Sequence, residues 1–387
     1  MAYEPKPVAF YLPQFHAIPE NDEWWGAGFT DWVNVRRGQP LFPGHYQPRR
    51  PQADRYYDLS KPDTIRWQVD LARAFGVYGF CHYHYWFDGK QLLETPTNLF
   101  LADQDLDLNF CLAWANETWS KRWDGLDHHV LQLQTHEPSK EKWGQHFDYL
   151  IRAWTDERAI RVDGKPVFII YRPYKIPQIG DMLDFWQTRA KPFGVDGICF
   201  MAMKQFSEIP PELRRHFDGI IQFQPFDAMS SLNFYLRRRA RVLPRLLCGK
   251  AGRLAEELYF RWRDKYGSPD MLDYDETWAR IVARTHSADL TTYPGAFIDW
   301  DNTARYGRRS TAFSGAHPAR FRYWMEKLLA VMRATPAREP LLFINAWNEW
   351  AEGTYLEPDE RFGTGYLEAL RAALDDCRAK SIAELRN

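Results

Sequence analysis

The sequence predicts a (β/α)8 barrel, an α/β fold, and three observations carry that prediction. Eight short apolar runs bounded by turn residues recur along 387 residues. Segments with helical periodicity separate most of them, and bulky polar and aromatic residues gather just after the runs. Runs rich in Val, Ile, Phe and Tyr are what parallel strands covered on both faces look like.

The runs are residues 8–11, 79–85, 108–114, 166–171, 197–203, 219–224, 295–300 and 341–347. Between the seventh and eighth, Phe321, Trp324, Met325, Leu328, Leu329 and Met332 recur at helical spacing and give one apolar stripe. After the eighth, Tyr366, Leu370, Ala373, Leu374 and Cys377 do the same. The fifth and sixth runs are close together, which leaves room for a clipped helix only. An open doubly wound sheet is the alternative, and it would place a glycine-rich phosphate turn after the first strand. GAGFTDW, residues 26–32, has two glycines but no strand before it. With no repeat or low-complexity tract, residues 1–387 read as a single domain with an insert at about 226–270.

Hydrophobic residues make up 45% of the chain and the formal charge is -1, which suits a globular domain and argues against a general nucleic-acid binder. Aromatic residues reach 16%, with 17 Trp, many flanked by polar residues, and this points to a lined cleft. Of five cysteines, Cys81, Cys111 and Cys199 lie inside apolar runs and read as buried thiols in a reducing compartment. The start, MAYEPKPVAFYLP, lacks a basic region followed by a long apolar stretch, and no run of about eighteen apolar residues occurs. The expected location is the cytoplasm.

Chemistry concentrates in NAWNEWAEGTYLEP, residues 345–358, where Glu349 and Glu352 stand three apart among Trp347, Asn348, Trp350 and Tyr355. Acting on a glycosidic bond takes one acid and one carboxylate whose surroundings push their pKa values apart, and aromatic faces that receive a sugar. Both glutamates are therefore the expected catalytic residues. Further sugar contacts are expected where the other runs end: Tyr11 and Gln14; His82, His84 and Trp86; Trp114, Asn116, Glu117, Trp123 and Asp124; Tyr171 and Arg172; Gln224; and Asp299, Trp300 and Asp301. His82 and His84 share one strand face, as two metal ligands would, but the fifth and sixth runs end near Lys204 and Gln224 instead of further histidines. The DWDN stretch could hold a divalent ion beside a sugar nucleotide, yet no phosphate cradle accompanies it. Neither a metal nor another cofactor is expected.

These motifs together resemble a known family. YLPQFH, NDEWWGAGFTDW, LFPGHYQP, YGFCHYHYWF, WANETWSKRWDG, RVDGKPVFIIYRP, DWDNT and NAWNEWAEGTYLEP are similar to the WbsX-like family, labelled glycosyltransferases of polysaccharide gene clusters. That family carries a domain similar to glycoside hydrolase family 99, endo-acting α-mannosidases on a (β/α)8 barrel. The likeness spans about residues 7 to 370. It implies that Glu349 is the base that deprotonates the sugar 2-hydroxyl, forming an anhydrosugar, and that Glu352 is the general acid and base. Ala351 stands where those hydrolases commonly carry a larger polar residue, so the leaving-group or acceptor side is expected to differ. The expected activity is cleavage or transglycosylation of α-linked glycans containing mannose or rhamnose. The alternative is a glycosyltransferase of O-antigen or cell-surface polysaccharide biosynthesis, and a third reading is a non-catalytic glycan-binding barrel.

One stretch stands apart in charge. Opening at Arg237 and closing at Lys265, it carries ten Lys or Arg against three acids, interleaved with Leu243, Leu246 and Leu247. A solvated helical face would look like this. So would a segment that rests on an anionic membrane or lipid-linked glycan, which would place the protein at the inner membrane.

Overall fold

The computed structural model describes residues 3–121, 126–230, 262–263, 265–286, 291–335 and 339–386. Most of the basic stretch from Arg237 to Lys265 lies outside the described residues, as do Trp123 and Asp124.

Among the described residues, the barrel alternates eight strands with eight helices. The strands are β1 Lys6–Tyr11, β2 Gly79–Phe87, β3 Asn109–Trp114, β4 Lys165–Ile170, β5 Cys199–Lys204, β6 Gly219–Gln222, β7 in two pieces, Thr292–Tyr293 and Gly295–Phe297, and β8 Leu341–Asn345. After them in turn come α1 Pro62–Ala74, α2 Thr95–Ala102, α3 Lys140–Trp154, α4 Ile179–Ala190, α5 Pro211–Arg214, α6 Tyr274–His286, α7 Pro318–Ala334 and α8 Gly365–Arg386. All pairings around the barrel are parallel, running β1 to β6 in order. β1 also pairs with β8, Lys6 opposite Leu341.

Closure depends on β7. Its first piece pairs with β6, Ile220 opposite Thr292, and its second pairs with β8, Gly295 opposite Phe343. Pro294 separates the pieces; it has no N–H to give a ladder, and its carbonyl accepts from Phe343 N at 3.0 Å. A Cβ at Gly295 would lie 1.9 Å from the Gln222 carbonyl oxygen, so only glycine lets the strand swing from one neighbour to the other. The circuit therefore has nine strand segments from eight strands.

Strands β4, β6, β7 and β8 end sooner than their apolar runs. β6 stops at Gln222 and the second piece of β7 at Phe297, so Gln224, Asp299 and Asp301 belong to loops. The clipped helix after β5 is the single turn α5. On α7, Phe321, Met325, Leu328, Leu329 and Met332 are buried, while Trp324 sits at the edge and donates its indole N–H to Asp275 Oδ1 at 2.8 Å. No helix among the described residues is long and apolar enough to cross a membrane.

Candidate active site

Loops after seven of the strands, together with β2 itself, frame a cleft of about 560 Å3 at the C-terminal face of the barrel. After β8 the chain forms a tight hairpin: Asn348–Glu349 pairs with Thr354–Tyr355 across the turn Trp350–Glu352. Gly353 closes that turn at φ 66, and a Cβ there would sit 2.9 Å from Asp301 Cβ, so the hairpin lies directly against the β7 loop. This hairpin points both Glu349 and Glu352 into the cleft.

A buried arginine ties the two acids together. Arg305, from the short helix Thr303–Tyr306 after β7, donates Nη1 to Glu352 Oε1 at 2.5 Å. Its Nη2 reaches Asp31 Oδ2 at 2.8 Å and Glu349 Oε2 at 3.4 Å. Asp31 opens the short helix Asp31–Arg37 in the β1 loop and is fully buried. Burial holds Glu349 well above the usual carboxylate range, and the charge of Glu352 adds to this while Arg305 opposes it. Glu352 is raised too, by burial first and against the pull of Arg305. Two acids that share a cation and resist ionisation are suited to exchanging a proton with a substrate.

Aromatic rings complete the cleft. Tyr83 and Tyr85 of β2 face Glu349, with Tyr171 and Arg172 after β4, Phe226 after β6 and Trp300 after β7. Trp119, on the hairpin of Trp119–Lys121 with Leu126–Gln132, packs edge-on against Tyr85 at 4.9 Å. Burial raises the Tyr83 hydroxyl, helped by Tyr171 and Glu349, and burial and Glu349 raise that of Tyr85. Both phenols thus stay protonated as donors.

The structure brings together seven of the expected residues in this cleft: Gln14, Glu117, Tyr171, Arg172, Trp300, Glu349 and Glu352. Others support its walls. Asn116 accepts from Arg172 N at 2.7 Å and donates to the Arg172 carbonyl at 3.0 Å. Asn348 accepts from Leu12 N at 2.7 Å and donates back to its carbonyl at 3.0 Å. Gln224 accepts from Ala228 N at 3.1 Å. Trp347 packs on Phe80 inside the core, and Trp350 stacks on Tyr355 at 3.8 Å.

Seven other expected contacts, among the described residues, lie away from the cleft lining. Tyr11, His82, His84, Trp86 and Trp114 point outward to the helices, since their parity along β1, β2 and β3 faces away from the cleft. Tyr11 donates to Gln68 on α1 at 2.7 Å, and His82 stacks on Tyr11 and bonds Thr97 on α2 at 3.2 Å. His84 meets His146 of α3 at 2.8 Å, Trp86 stacks on His146 at 4.7 Å, and Trp114 donates to the Trp86 carbonyl at 3.1 Å. Burial lowers His82 and His84 to about 3, so both are neutral. Asp299 and Asp301 are engaged elsewhere: Arg49 reaches them at 2.8 and 3.5 Å, and His45 and Gln47 reach Asp301 at 2.9 and 2.8 Å. Sequence reasoning missed Tyr83, Tyr85, Arg305 and Asp31. The tyrosines sit in the quoted strand with the opposite parity, Asp31 lies within GFTDW, and only the need of two buried acids for a counter-ion hints at Arg305.

A family described as Glycosyltransferase WbsX matches residues 7–370. The protein WxcX of Xanthomonas campestris pv. campestris, described as uncharacterized, is 39% identical over 377 residues, which is 97% of this chain and 50% of WxcX. The chain thus spans about half the length of the curated relatives it matches. Among solved structures, the GH99 endo-α-mannosidase from Bacteroides thetaiotaomicron superimposes with a TM-score of 0.55 at 14% identity, over 97% of this chain and 98% of that one. A glycoside hydrolase-like protein gives 0.58 at 12%, over 97% and 96%. At such identities the likeness is one of fold.

Proposed function

The chain belongs to the WbsX glycosyltransferase family, and from that premise we propose that it is a carbohydrate-active enzyme that makes or breaks an α-glycosidic bond through Glu349 and Glu352. The observation that carries this is the pair of carboxylates, Glu349 buried and Glu352 half-buried, on one guanidinium at the foot of an aromatic cleft. Ring faces take the apolar faces of sugars, and the phenols and amides along the walls meet hydroxyls.

In the reaction, one glutamic acid gives its proton to the glycosidic oxygen as the C1–O bond breaks. The other carboxylate takes a proton from the attacking hydroxyl, either the donor's own 2-hydroxyl or the acceptor's. Where the donor's 2-hydroxyl attacks, a second hydroxyl then opens the anhydrosugar at C1, giving its proton to the glutamate that lost one while the other glutamic acid returns its proton to the 2-oxygen; where the acceptor attacks, the exchange is complete in one step. With water as acceptor the outcome is hydrolysis; with a sugar hydroxyl it is glycosyl transfer, which the family description, a glycosyltransferase, favours, and assembly of a surface polysaccharide is the proposed setting. Mannose- or rhamnose-containing chains are the proposed donors. The basic stretch from Arg237 to Lys265 is proposed to hold the enzyme at an anionic membrane, which salt-sensitive cosedimentation with anionic liposomes would reveal.

The test compares wild type with Glu352→Gln on α-linked manno- and rhamno-oligosaccharides, with and without a sugar acceptor, and on nucleotide sugars. Products from the oligosaccharides that vanish in the variant support the proposal. Products from nucleotide sugars alone would overturn the oligosaccharide as donor. Glycan binding without turnover, unchanged in the variant, would leave a binding barrel instead.

A further inference from the structure

The hairpin after β8 is a wall with two sides. Glu349 and Glu352 face the cleft, whereas Trp350 between them and Glu357 beyond them face a second cavity of about 300 Å3. Gln52, Arg55 and Tyr57 of the β1 loop and Trp67 of α1 supply most of its other polar and aromatic groups. That volume falls at the lower end of the range for small-molecule sites. Tyr57, Trp350 and Glu357 are buried, Trp67 is half-buried, and Gln52, Ala53 and Arg55 are exposed, so the cavity opens to solvent across the β1 loop. Its rim is shaped at a cost. Ala53 and Asp54 both hold left-handed backbone, φ 55 and 52, which residues other than glycine seldom adopt.

The walls select a class of ligand. Trp67 and Tyr57 stand 6.0 Å apart at 51°, Arg55 lies over the Trp67 ring at 4.5 Å, and Gln52 stands at the rim. A lipid tail would call for apolar walls throughout, and a sugar diphosphate for several cations, whereas Arg55 is the one cation lining the cavity among the described residues. A metal ion finds no ready carboxylate, because both oxygens of Glu357 already accept hydrogen bonds, from Gln68, Tyr57 and Trp350. A neutral sugar ring matches the set: its C–H groups pack against an indole and a phenol ring, and its hydroxyls meet a guanidinium and an amide.

We propose that this cavity is a second, non-catalytic sugar site on the far side of the hairpin that carries the acid pair. The choice of mannose or rhamnose as its occupant rests on the proposed function, while the site itself rests on the cavity. Glu357 is the one acid lining it among the described residues, so a sugar seated there meets no pair of carboxylates and is bound without being cut.

The test follows indole N–H signals of the full chain by NMR as methyl α-mannoside or methyl α-rhamnoside is added. Trp67→Phe identifies the signal of the cavity, and Trp119→Phe and Trp300→Phe identify those of the cleft. The Trp67 signal should shift to saturation. Replacing the two rim groups together, Gln52→Ala with Arg55→Ala, should weaken the affinity read at Trp67 by about tenfold and leave that read at Trp300 unchanged. Shifts at Trp119 and Trp300 with Trp67 unmoved would overturn the second site and leave the proposed function standing. A rim-sensitive shift at Trp67 alone would support the second site and count against the cleft as a sugar site. A Trp67 shift that matches the Trp300 affinity and survives the rim substitutions is an echo of the filled cleft and overturns the proposal, as does silence at all three indoles.

Discussion

Glu357 shapes the site without entering it. Its carboxylate accepts from Trp350 Nε1 at 2.6 Å, Tyr57 at 2.8 Å and Gln68 at 2.7 Å, and so anchors the turn that carries Glu352. Burial raises it from the usual 4.5 to about 7, against the three hydrogen bonds. The sign follows from linkage: the folded state holds this proton more tightly than the unfolded chain, so the contribution is whole below pH 4.5 and is lost as pH rises to about 7. At about 1.4 kcal/mol per pH unit, the loss amounts to roughly 3 kcal/mol. Urea unfolding at about pH 5 and about pH 8 should show wild type weakening with pH and Glu357→Gln weakening less. Equal slopes would mean that this carboxyl does not titrate in the folded protein. Glu349 and Glu352 were legible in the sequence because acids between indoles are conspicuous. Glu357 was not, since its reason for being there is a bond to Trp350 that only the fold creates.

Strand β2 illustrates what an element conceals. Its sequence, GFCHYHYWF, was legible as a strand because it is apolar and bounded by turns, but both of its faces carry rings and polar atoms. No hydrophobic alternation marks the inner face. Expectation turned the histidines toward the wet cleft, whereas His82 bonds Thr97 and His84 bonds His146 among the helices, and Tyr83 and Tyr85 face inward. Substitutions along one strand should therefore separate by parity. His84→Ala removes a buried ring and strands its partner His146, for an expected loss of about 2–4 kcal/mol in urea unfolding with glycan affinity kept in the folded fraction. Tyr85→Phe removes only a cleft hydroxyl, so stability should change by less than about 1 kcal/mol while glycan binding weakens. A Tyr85→Phe protein that unfolds easily yet binds normally would contradict the assigned faces.

At the scale of the whole molecule, the barrel was legible because eight apolar runs were visible, while the ties between its distant loops were not. The β1 loop ties down the β7 and β8 loops as a strap. Arg49 meets Asp299 and Asp301, Gln52 N donates to the Pro358 carbonyl at 3.0 Å, and Glu360 N donates to the Arg50 carbonyl at 2.9 Å. More than two hundred residues separate Arg49 from its acids, and sequence spacing carries no sign of such a pair. The strap fixes the β7 loop, hence Arg305 and, across Gly353, the glutamate hairpin. Arg49→Met keeps most of the volume but leaves two buried aspartates facing each other, with His45 as the remaining cation if protonated. Breaking a buried pair in this way costs about 3–5 kcal/mol. Arg49 also lowers both aspartates, so its removal raises them in the folded state. The variant's deficit should accordingly grow as pH rises through the carboxylate range, and should be smaller in acid, where protonation relieves the repulsion. Urea unfolding of wild type and Arg49→Met across that range measures both effects. A deficit under about 1 kcal/mol, or one that shrinks toward neutral pH, would mean that the strap does not hold the mouth of the barrel through this charge.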